Sequence, residues 1–510
     1  MEEYFASLKC KVEIRDGRGK GLFAVEDIPE GSTILKSRTY GSILHPHLWS
    51  IQCFHCFARL IKGHSEQIDL GPVKYCSSIC HEKDPHRTFE SPDMLSKLRL
   101  EVNDAFVSDL LLLARVLRKA TTQDSLKQHF ATNAIIQPTF KDVQGMVCHE
   151  NVTAVPYHKI ITRLRDDCVE LVPKECLANK TTEELVQMLN RFGCNNFSVT
   201  DKLMTSIAAC VSPFGAILNH DCIPNCVVTY RFEEGGGDEG IVQYFRTVRS
   251  VKAGEELCHS YLDAASSRQI RLQKLKENYS FDCSCRRCVD TKDLQLYVGM
   301  PNGLIEELCS ALNTAGATEE QISYFRREAF SRPVDLESSL VGDIGSKPIA
   351  SGEPANRRRD LELTLANKLM QEAATEEDAG RELNLLLQAK GTKAKYLHPL
   401  NLENLEVTNN IYTVALLSGH FELAIQAGMR AIDVYRCIYQ YCNPLIGLTA
   451  YSVGSLLCES DKKEQSLQYL QFADEALTLT HGGSSTLVLE LRDYITGVKQ
   501  DVEALQKGSH

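Results

Sequence analysis

Two things are missing from the start of this 510-residue chain: a basic N-terminal region and a long apolar run behind it. Met1-Glu2-Glu3-Tyr4 is acidic, so neither a signal peptide nor a membrane span is expected, and the chain reads as cytoplasmic, nuclear or both. An excess of positive charge is missing as well. The formal net charge of −11 argues against direct nucleic-acid binding, which needs a concentrated basic footprint, and is compatible with a basic peptide as partner. With 43% hydrophobic and 24% charged residues the composition is globular, and the length suggests roughly two to four domains.

Cysteine is plentiful. In a reducing compartment clustered thiols are better read as metal ligands than as disulfides, and eight of the twenty fall into two patterns. Cys53-x2-Cys56 and Cys76-x3-Cys80 are separated by nineteen residues, a spacing that suits one tetrahedral zinc better than four unrelated buried thiols. His55, His81 and His86 lie close by but are expected at the surface, because four thiols already complete a closed site. Between Cys53 and Glu90 five Lys/Arg residues balance five Asp/Glu residues, so nothing here resembles a DNA-binding face. Further on, Cys283-x-Cys285-x2-Cys288 supplies three thiols where zinc takes four. Apart from these seven and Cys222, the other twelve, among them Cys10, Cys148, Cys309 and Cys458, are scattered and read mostly as small buried hydrophobes.

Residues 11–36 alternate hydrophobic and polar side chains around Gly17-Arg18-Gly19-Lys20-Gly21, then turn at Pro29-Glu30-Gly31, which predicts short strands about a glycine-rich bend. The bend reads as a plain hairpin or as a close approach to a ligand, with Arg18 and Lys20 able to meet a carboxylate. It is no dinucleotide fingerprint, since no helix follows. From about 93 to 190 the pattern is helical, with Thr182 a candidate cap. A hairpin is expected over 226–248, its strands Val227–Tyr230 and Ile241–Phe245 joined by a glycine-rich loop, and a short polar helix after Tyr261. Residues 330–360, rich in Ser, Gly and Pro and ending in Arg357-Arg358-Arg359, read as a flexible surface segment with a solvated basic face. Beyond it the chain is helical, and Leu416-Leu417 echoes Leu456-Leu457 at an offset of forty residues, which suggests stacked helical hairpins of tetratricopeptide type.

Between these lies Asn219-His220-Asp221-Cys222-Ile223-Pro224-Asn225-Cys226. Taken alone it reads either as a buried polar turn or as a ligand site, since Asn and His offer donors and acceptors, Cys222 can ligate a metal and Pro224 stiffens the exit.

Four motifs, G-R-G-K-G-L-F-A, N-H-D-C-I-P-N-C, E-L-C-H-S-Y and C-S-C-R-R-C, occur in the order found in SET-domain lysine methyltransferases. The intervening cysteine module and the helical C-terminal half make nearly the whole chain resemble the SET-and-MYND family. That resemblance implies an α+β fold: a split SET β-fold with a pseudoknot at the Asn-His segment, a zinc-binding MYND insertion and an α-helical tetratricopeptide-like C-terminal domain. The implied boundaries are 1–48 and 193–262 for the two parts of SET, 49–92 for the MYND-like module, 93–192 for a helical insertion, 263–292 for a post-SET zinc segment and 293–510 for the helical domain.

Carried over residue by residue, Arg18, Lys20, Asn195, Asn219 and His220 contact S-adenosylmethionine, Phe281 stacks near the adenine, and Tyr261 and Tyr279 are channel tyrosines, Tyr261 orienting a lysine amine beside the cofactor. Lys20 stands where relatives commonly have Asn. Cys222 becomes the fourth ligand of a zinc held by Cys283, Cys285 and Cys288, and the other zinc takes Cys53, Cys56, Cys76 and Cys80. The MYND module usually binds two zincs; here a second Cys pair is absent between Cys56 and Cys76 and Glu90 replaces a final Cys after His86, so one zinc is expected there and two in the chain.

The implied activity is S-adenosylmethionine-dependent methylation of lysine in a histone or another protein. The implied partners are that substrate and further proteins met by the C-terminal helices, with the chain itself a monomer. A catalytically silent SET/MYND adaptor is the alternative, disfavoured because it has no need of Asn219, His220 and Tyr261 together.

Overall fold

The structure is a computed structural model; it describes residues 2–61, 66–101, 103–123, 135–148, 154–166, 171–233, 237–266, 268–289, 353–397, 401–439 and 443–508. The chain divides into two compact units. One comprises Met1–His220, Pro224–His259 and Lys274–Phe281; the other comprises Asp221–Ile223, Ser260–Gln273 and Asp282–His510.

The first unit begins with a short helix, α1 (Glu2–Ser7), and the hairpin β1 (Cys10–Arg15) and β2 (Gly19–Ala24). Gly17 and Gly19 both take positive φ at the turn between them, +74° and +69°, which is why glycine recurs there. Next come β3 (Thr33–Arg38), β4 (Gly41–Leu44), β5 (Ile68–Asp69), β6 (Lys74–Tyr75) and α2 (Ser78–Lys83). The helical stretch follows as α3 (Pro92–Glu101), α4 (Asp104–Gln123), α5 (Phe140–Gln144), α6 (Ala154–Asp166), α7 (Lys174–Ala178) and α8 (Thr182–Asn195). The cap of α8 is Thr181, one residue before the expected Thr182. Its hydroxyl accepts from the Glu184 amide at 3.1 Å while Glu184 accepts from the Thr181 amide at 2.7 Å, a reciprocal box that Thr182 has no glutamate in register to form.

After α8 the strands β7 (Asn196–Thr200), β8 (Ser206–Val211), β9 (Asn219–His220), β10 (Cys226–Phe232), β11 (Ile241–Thr247) and β12 (Glu256–His259) complete three small sheets among the described residues, β5 and β6 pairing by themselves in a fourth. The expected hairpin is β10–β11, with Cys226 opposite Thr247, and β3 adds to its free edge. Part of its glycine-rich loop, residues 234–236, lies outside the described residues. Two cores support these sheets. The larger gathers Trp49, Phe54 and the apolar residues of α4, and the smaller packs Phe5, Leu22, Phe214, Leu218, Phe245 and Leu257 beneath the Asn-His segment.

In the second unit the short polar helix is α9 (Arg268–Tyr279), whose last turns belong to the first unit, and α10 (Arg286–Val289) carries Cys288. Residues 330–352 of the expected flexible segment lie outside the described residues. From 353 the chain is instead helical, in α11 (Glu353–Ala373), where Arg358 is exposed and pairs with Glu362 one turn on while Arg359 reaches Asp360. Then follow α12 (Ala379–Lys393), α13 (Leu402–Leu417), α14 (Phe421–Tyr439), α15 (Pro444–Glu459), α16 (Lys463–His481) and α17 (Thr486–Gly508).

Helical hairpins of tetratricopeptide type do form, but the repeat is longer than the leucines suggest. Asn401 caps α13 and Asn443 caps α15, and the positive-φ residues Gly419 and Asp461 end those helices, so the unit repeats every forty-two residues (401 to 443, 419 to 461). Leucine pairs on an apolar face are loose markers of register; caps and left-handed turn residues are tight ones.

Candidate active site and thiol centres

The Asn-His segment is placed by β12. The two strands run parallel, pairing Cys258 with Asn219 and His259 with His220, while the preceding residues Glu256 and Leu257 pair antiparallel with Phe23 and Leu22 of β2. Asn225 fastens the crossing as a substitute for a strand backbone: its Oδ1 accepts from the Cys258 amide at 2.8 Å and its Nδ2 donates to the Glu256 carbonyl at 2.7 Å. Asn225 therefore shapes the exit from the segment. Cys226 is wholly apart from any thiol cluster; its buried Sγ donates to Asn225 Oδ1, and burial pushes its pKa up.

Several of the residues expected at a cofactor meet here. Arg18 sends Nε to Glu256 Oε2 at 2.8 Å, and its Nη2 lies 3.4 Å from Cys258 Sγ and 3.5 Å from the His220 carbonyl. Asn219 Nδ2 lies 2.7 Å from Glu256 Oε1 and 3.2 Å from the carbonyls of both Arg18 and Lys20. The buried His220 ring sits 6.1 Å from that of Phe281, tilted by 52°. Lys20 contributes its backbone to this group and leaves its side chain exposed. Asn195 sits at the end of α8, where its Nδ2 donates to the carbonyls of Val147 at 2.8 Å and Arg191 at 2.7 Å. Tyr279, at the end of α9, is half-buried, and burial raises its pKa, with the Cys194 thiol adding to the effect. Tyr261 lies two residues beyond β12, half-buried, in the second unit. Glu256 is the residue that reading the sequence passed over; it opens E-L-C-H-S-Y, where an acid beside another acid looks like a solvated turn.

Both thiol clusters form. In each of the sets Cys53, Cys56, Cys76, Cys80 and Cys222, Cys283, Cys285, Cys288 the four Sγ atoms lie within 4.8 Å of one another. Separations of 3.7 Å for Cys56–Cys76, 3.3 Å for Cys76–Cys80 and 3.6 Å for Cys222–Cys288 are far longer than a disulfide. They approach the edge of about 3.8 Å that a tetrahedron with Zn–S bonds of about 2.3 Å requires. The donor sets fit zinc. Thiols of both sets are already drawn toward thiolate by their neighbours: the Cys56 thiol brings Cys53 down to about 5, Cys222 and Cys283 bring Cys285 down to about 6, and Cys222, Cys283 and Cys285 lower Cys288 too. Around the second set, the Cys288 carbonyl accepts from Arg268 at 2.9 and 2.7 Å, and the fully buried Arg271 lies 3.9 Å from Cys288 Sγ, a positive charge beside a tetrathiolate.

Among the described residues of the MYND-like module, the four thiols are the one group that could hold a metal. His55 and His86 are buried, contrary to their expected exposure, while His81 is half-buried. His55 packs against Gly237, where a Cβ would come within 2.0 Å of its ring. His86 is taken up by charge. Its Nδ1 lies 2.9 Å from Arg118 Nη2, which also meets Glu90 Oε1 at 2.5 Å, while Arg115 grips Glu90 through Nε at 3.0 Å and Nη2 at 2.6 Å. Two guanidiniums from α4 thus stand against the carboxylate that replaces a cysteine.

A family model described as SET domain matches residues 19–262. The histone-lysine N-methyltransferase ASHR1 of Arabidopsis thaliana is 22% identical over 97% of this chain and 96% of its own length. The histone-lysine N-methyltransferase SMYD3 of Mus musculus is 21% identical over 95% of this chain and 96% of its own. The N-lysine methyltransferase SMYD2-B of Xenopus laevis is 26% identical over 53% of this chain and 59% of its own. A SET model thus lies across the Asn-His crossing, and along nearly its whole length the chain is similar to histone-lysine N-methyltransferases.

Proposed function

We propose that this chain is an S-adenosylmethionine-dependent protein-lysine N-methyltransferase, acting on a lysine of a histone or of another protein in the cytoplasm or nucleus. The observation that carries the reading is the gathering of Arg18, Asn219, His220 and Phe281 by the β9–β12 pairing, with Glu256 between the first two. A guanidinium and an amide beside two tilted rings match a ligand with an amino-acid end and a purine end. Bound there, the cofactor supplies an electrophilic methyl group on a cationic sulfonium.

What the protein must do is present a neutral amine. A lysine with an ordinary pKa of about 10.4 sheds its proton more readily in a poorly hydrated channel beside a positive charge. Tyr279 suits such a channel, because burial keeps its phenol protonated and able to donate. Tyr261 is assigned the role of orienting the amine lone pair, an effect of the kind that supplies up to about 7 to 11 kcal/mol in model systems. Arg18, Lys20 and Asn195 complete the proposed cofactor set, and the helical hairpins are proposed to meet partner proteins. No helix among the described residues is long and apolar enough to cross a membrane.

The test is calorimetric titration with S-adenosylmethionine, followed by mass spectrometry of cell extracts treated with wild type, His220→Ala and Tyr261→Phe. Cofactor binding and lysine methylation that fails in the variants are expected. No binding at millimolar cofactor, or equal labelling by wild type and His220→Ala, refutes the assignment.

A further inference from the structure

Glu256 is firmly held at the crossing. Its backbone is held in β12 opposite Phe23, and its side chain is only 14% exposed. Oε2 takes the Nε–Nη2 edge of Arg18, both nitrogens at 2.8 Å, and Oε1 takes Asn219 Nδ2 at 2.7 Å. Gly21 makes room for it: a Cβ there would fall 2.6 Å from Glu256 Oε1 and 3.0 Å from Asn219 Nδ2. The third glycine of G-R-G-K-G therefore accommodates a carboxylate of the chain itself.

The consequence falls on Asn219. Its Nδ2 faces three acceptors, Glu256 Oε1 and the carbonyls of Arg18 and Lys20. Turning the amide over would set Oδ1 against all three, so its orientation is determined by its surroundings. The end presented to a ligand is Oδ1, an acceptor, and its natural complement is a cationic N–H donor. Beside it the Arg18–Glu256 pair is neutral in sum, which suits a ligand end that bears both an ammonium and a carboxylate.

We propose that Glu256 is a positioning residue that makes the site selective for a zwitterionic amino-acid end, by fixing Asn219 Oδ1 toward the ammonium and balancing Arg18. This rests on the function proposed above. Glu256→Gln keeps the shape, but its amide can turn an N–H against Asn219 Nδ2, and it leaves Arg18 unbalanced.

The experiment compares two probes by calorimetric titration and competition: S-adenosylhomocysteine, which has the amino-acid end, and 5′-methylthioadenosine, which lacks it. For Glu256→Gln, affinity for S-adenosylhomocysteine is expected to fall on the order of ten- to a hundredfold, as for loss of a hydrogen bond to a charged group, with methylthioadenosine within twofold of wild type. Gly21→Ala displaces the carboxylate without removing its charge and should show the same selective loss, which covers the case of a Gln variant that does not fold. An equal fall for both probes makes Glu256 merely structural and overturns the inference. Tighter binding of S-adenosylhomocysteine overturns it too, since Glu256 would then be a competitor for Arg18 and Asn219. Failure of wild type to bind either probe removes the proposed function itself and the inference with it.

Discussion

Replacing Glu90 by glutamine would leave the Arg115 and Arg118 guanidiniums in a dry site with no negative charge between them. The carboxylate is fully buried, and the two arginine side chains are 2% and 7% exposed. Burial by itself pushes the Glu90 pKa up, but the charges of Arg115 and Arg118 outweigh it and bring the group down from 4.5 to about 2. A downward shift of that size corresponds to about 3 kcal/mol of folding free energy. The cost of breaking a buried pair by removing one partner is of the same order, about 3 to 5 kcal/mol.

The sign follows from the direction. A folded pKa below the unfolded one gives stabilisation that is complete above about pH 4.5 and disappears as the pH falls toward 2. Zinc release in acid would blur that limb, so the measurement belongs at pH 7. Hydrogen exchange of peptides from residues 49–123, read by mass spectrometry, isolates this region from the rest of a chain that need not unfold in one step. Glu90→Gln should lower the opening free energy there by about 3 kcal/mol, a roughly hundredfold rise in exchange. A triple replacement of Glu90, Arg115 and Arg118 by apolar residues of similar volume should restore most of it. Exchange in Glu90→Gln unchanged within twofold would refute the account of this cluster as the module's substitute for a metal.

Elemental analysis of purified protein should find two zinc ions per chain, one in each of Cys76→Ser and Cys283→Ser; three in wild type would restore a second metal to the MYND-like module. In the helical unit, alanine has opposite effects at different glycines. Gly454→Ala sets a Cβ 2.8 Å from Leu470 and should cost about 1 to 3 kcal/mol in thermal or urea unfolding. Gly391→Ala meets nothing within 4 Å and should stabilise α12 by about 0.5 to 1 kcal/mol. Thr181→Ala removes the capping box of α8 and should cost about 1 kcal/mol, whereas Thr182→Ala should be near neutral by the same assay.

The features that could be read from sequence are those with a fixed spacing. Two thiol pairs, a three-thiol cluster and strands of β-branched residues each impose a local pattern, and all are found in place, whereas the fourth thiol, Cys222, is reached only through the family resemblance. What escaped depends on partners brought from far along the chain. His86 reads as a surface histidine until Arg118 arrives from α4, and His55 until Gly237 covers it. Glu256 reads as one of two adjacent acids until Arg18 and Asn219 close on it from 238 and 37 residues away. Burial of a charge is a property of a pair, and only one member of the pair is visible in any window. Thr181 was within reach of sequence reading, since its box with Glu184 is a three-residue spacing.

The cluster of Cys222 with Cys283, Cys285 and Cys288 also sets a timetable. During synthesis Cys222 leaves the ribosome 66 residues ahead of Cys288. At about 5 to 20 residues per second that is an interval of about 3 to 13 seconds. Until residues 256–259 follow, Asn219 and His220 exist without β12, and through the whole interval Cys222 lacks its full set of metal partners, so the crossing cannot be completed in the order in which it is written. The residues at the centre of the site are among its earlier parts to be made, and the last to be held is the thiol beside them. A nascent chain of this protein therefore carries, for that interval, a thiol that the finished chain buries.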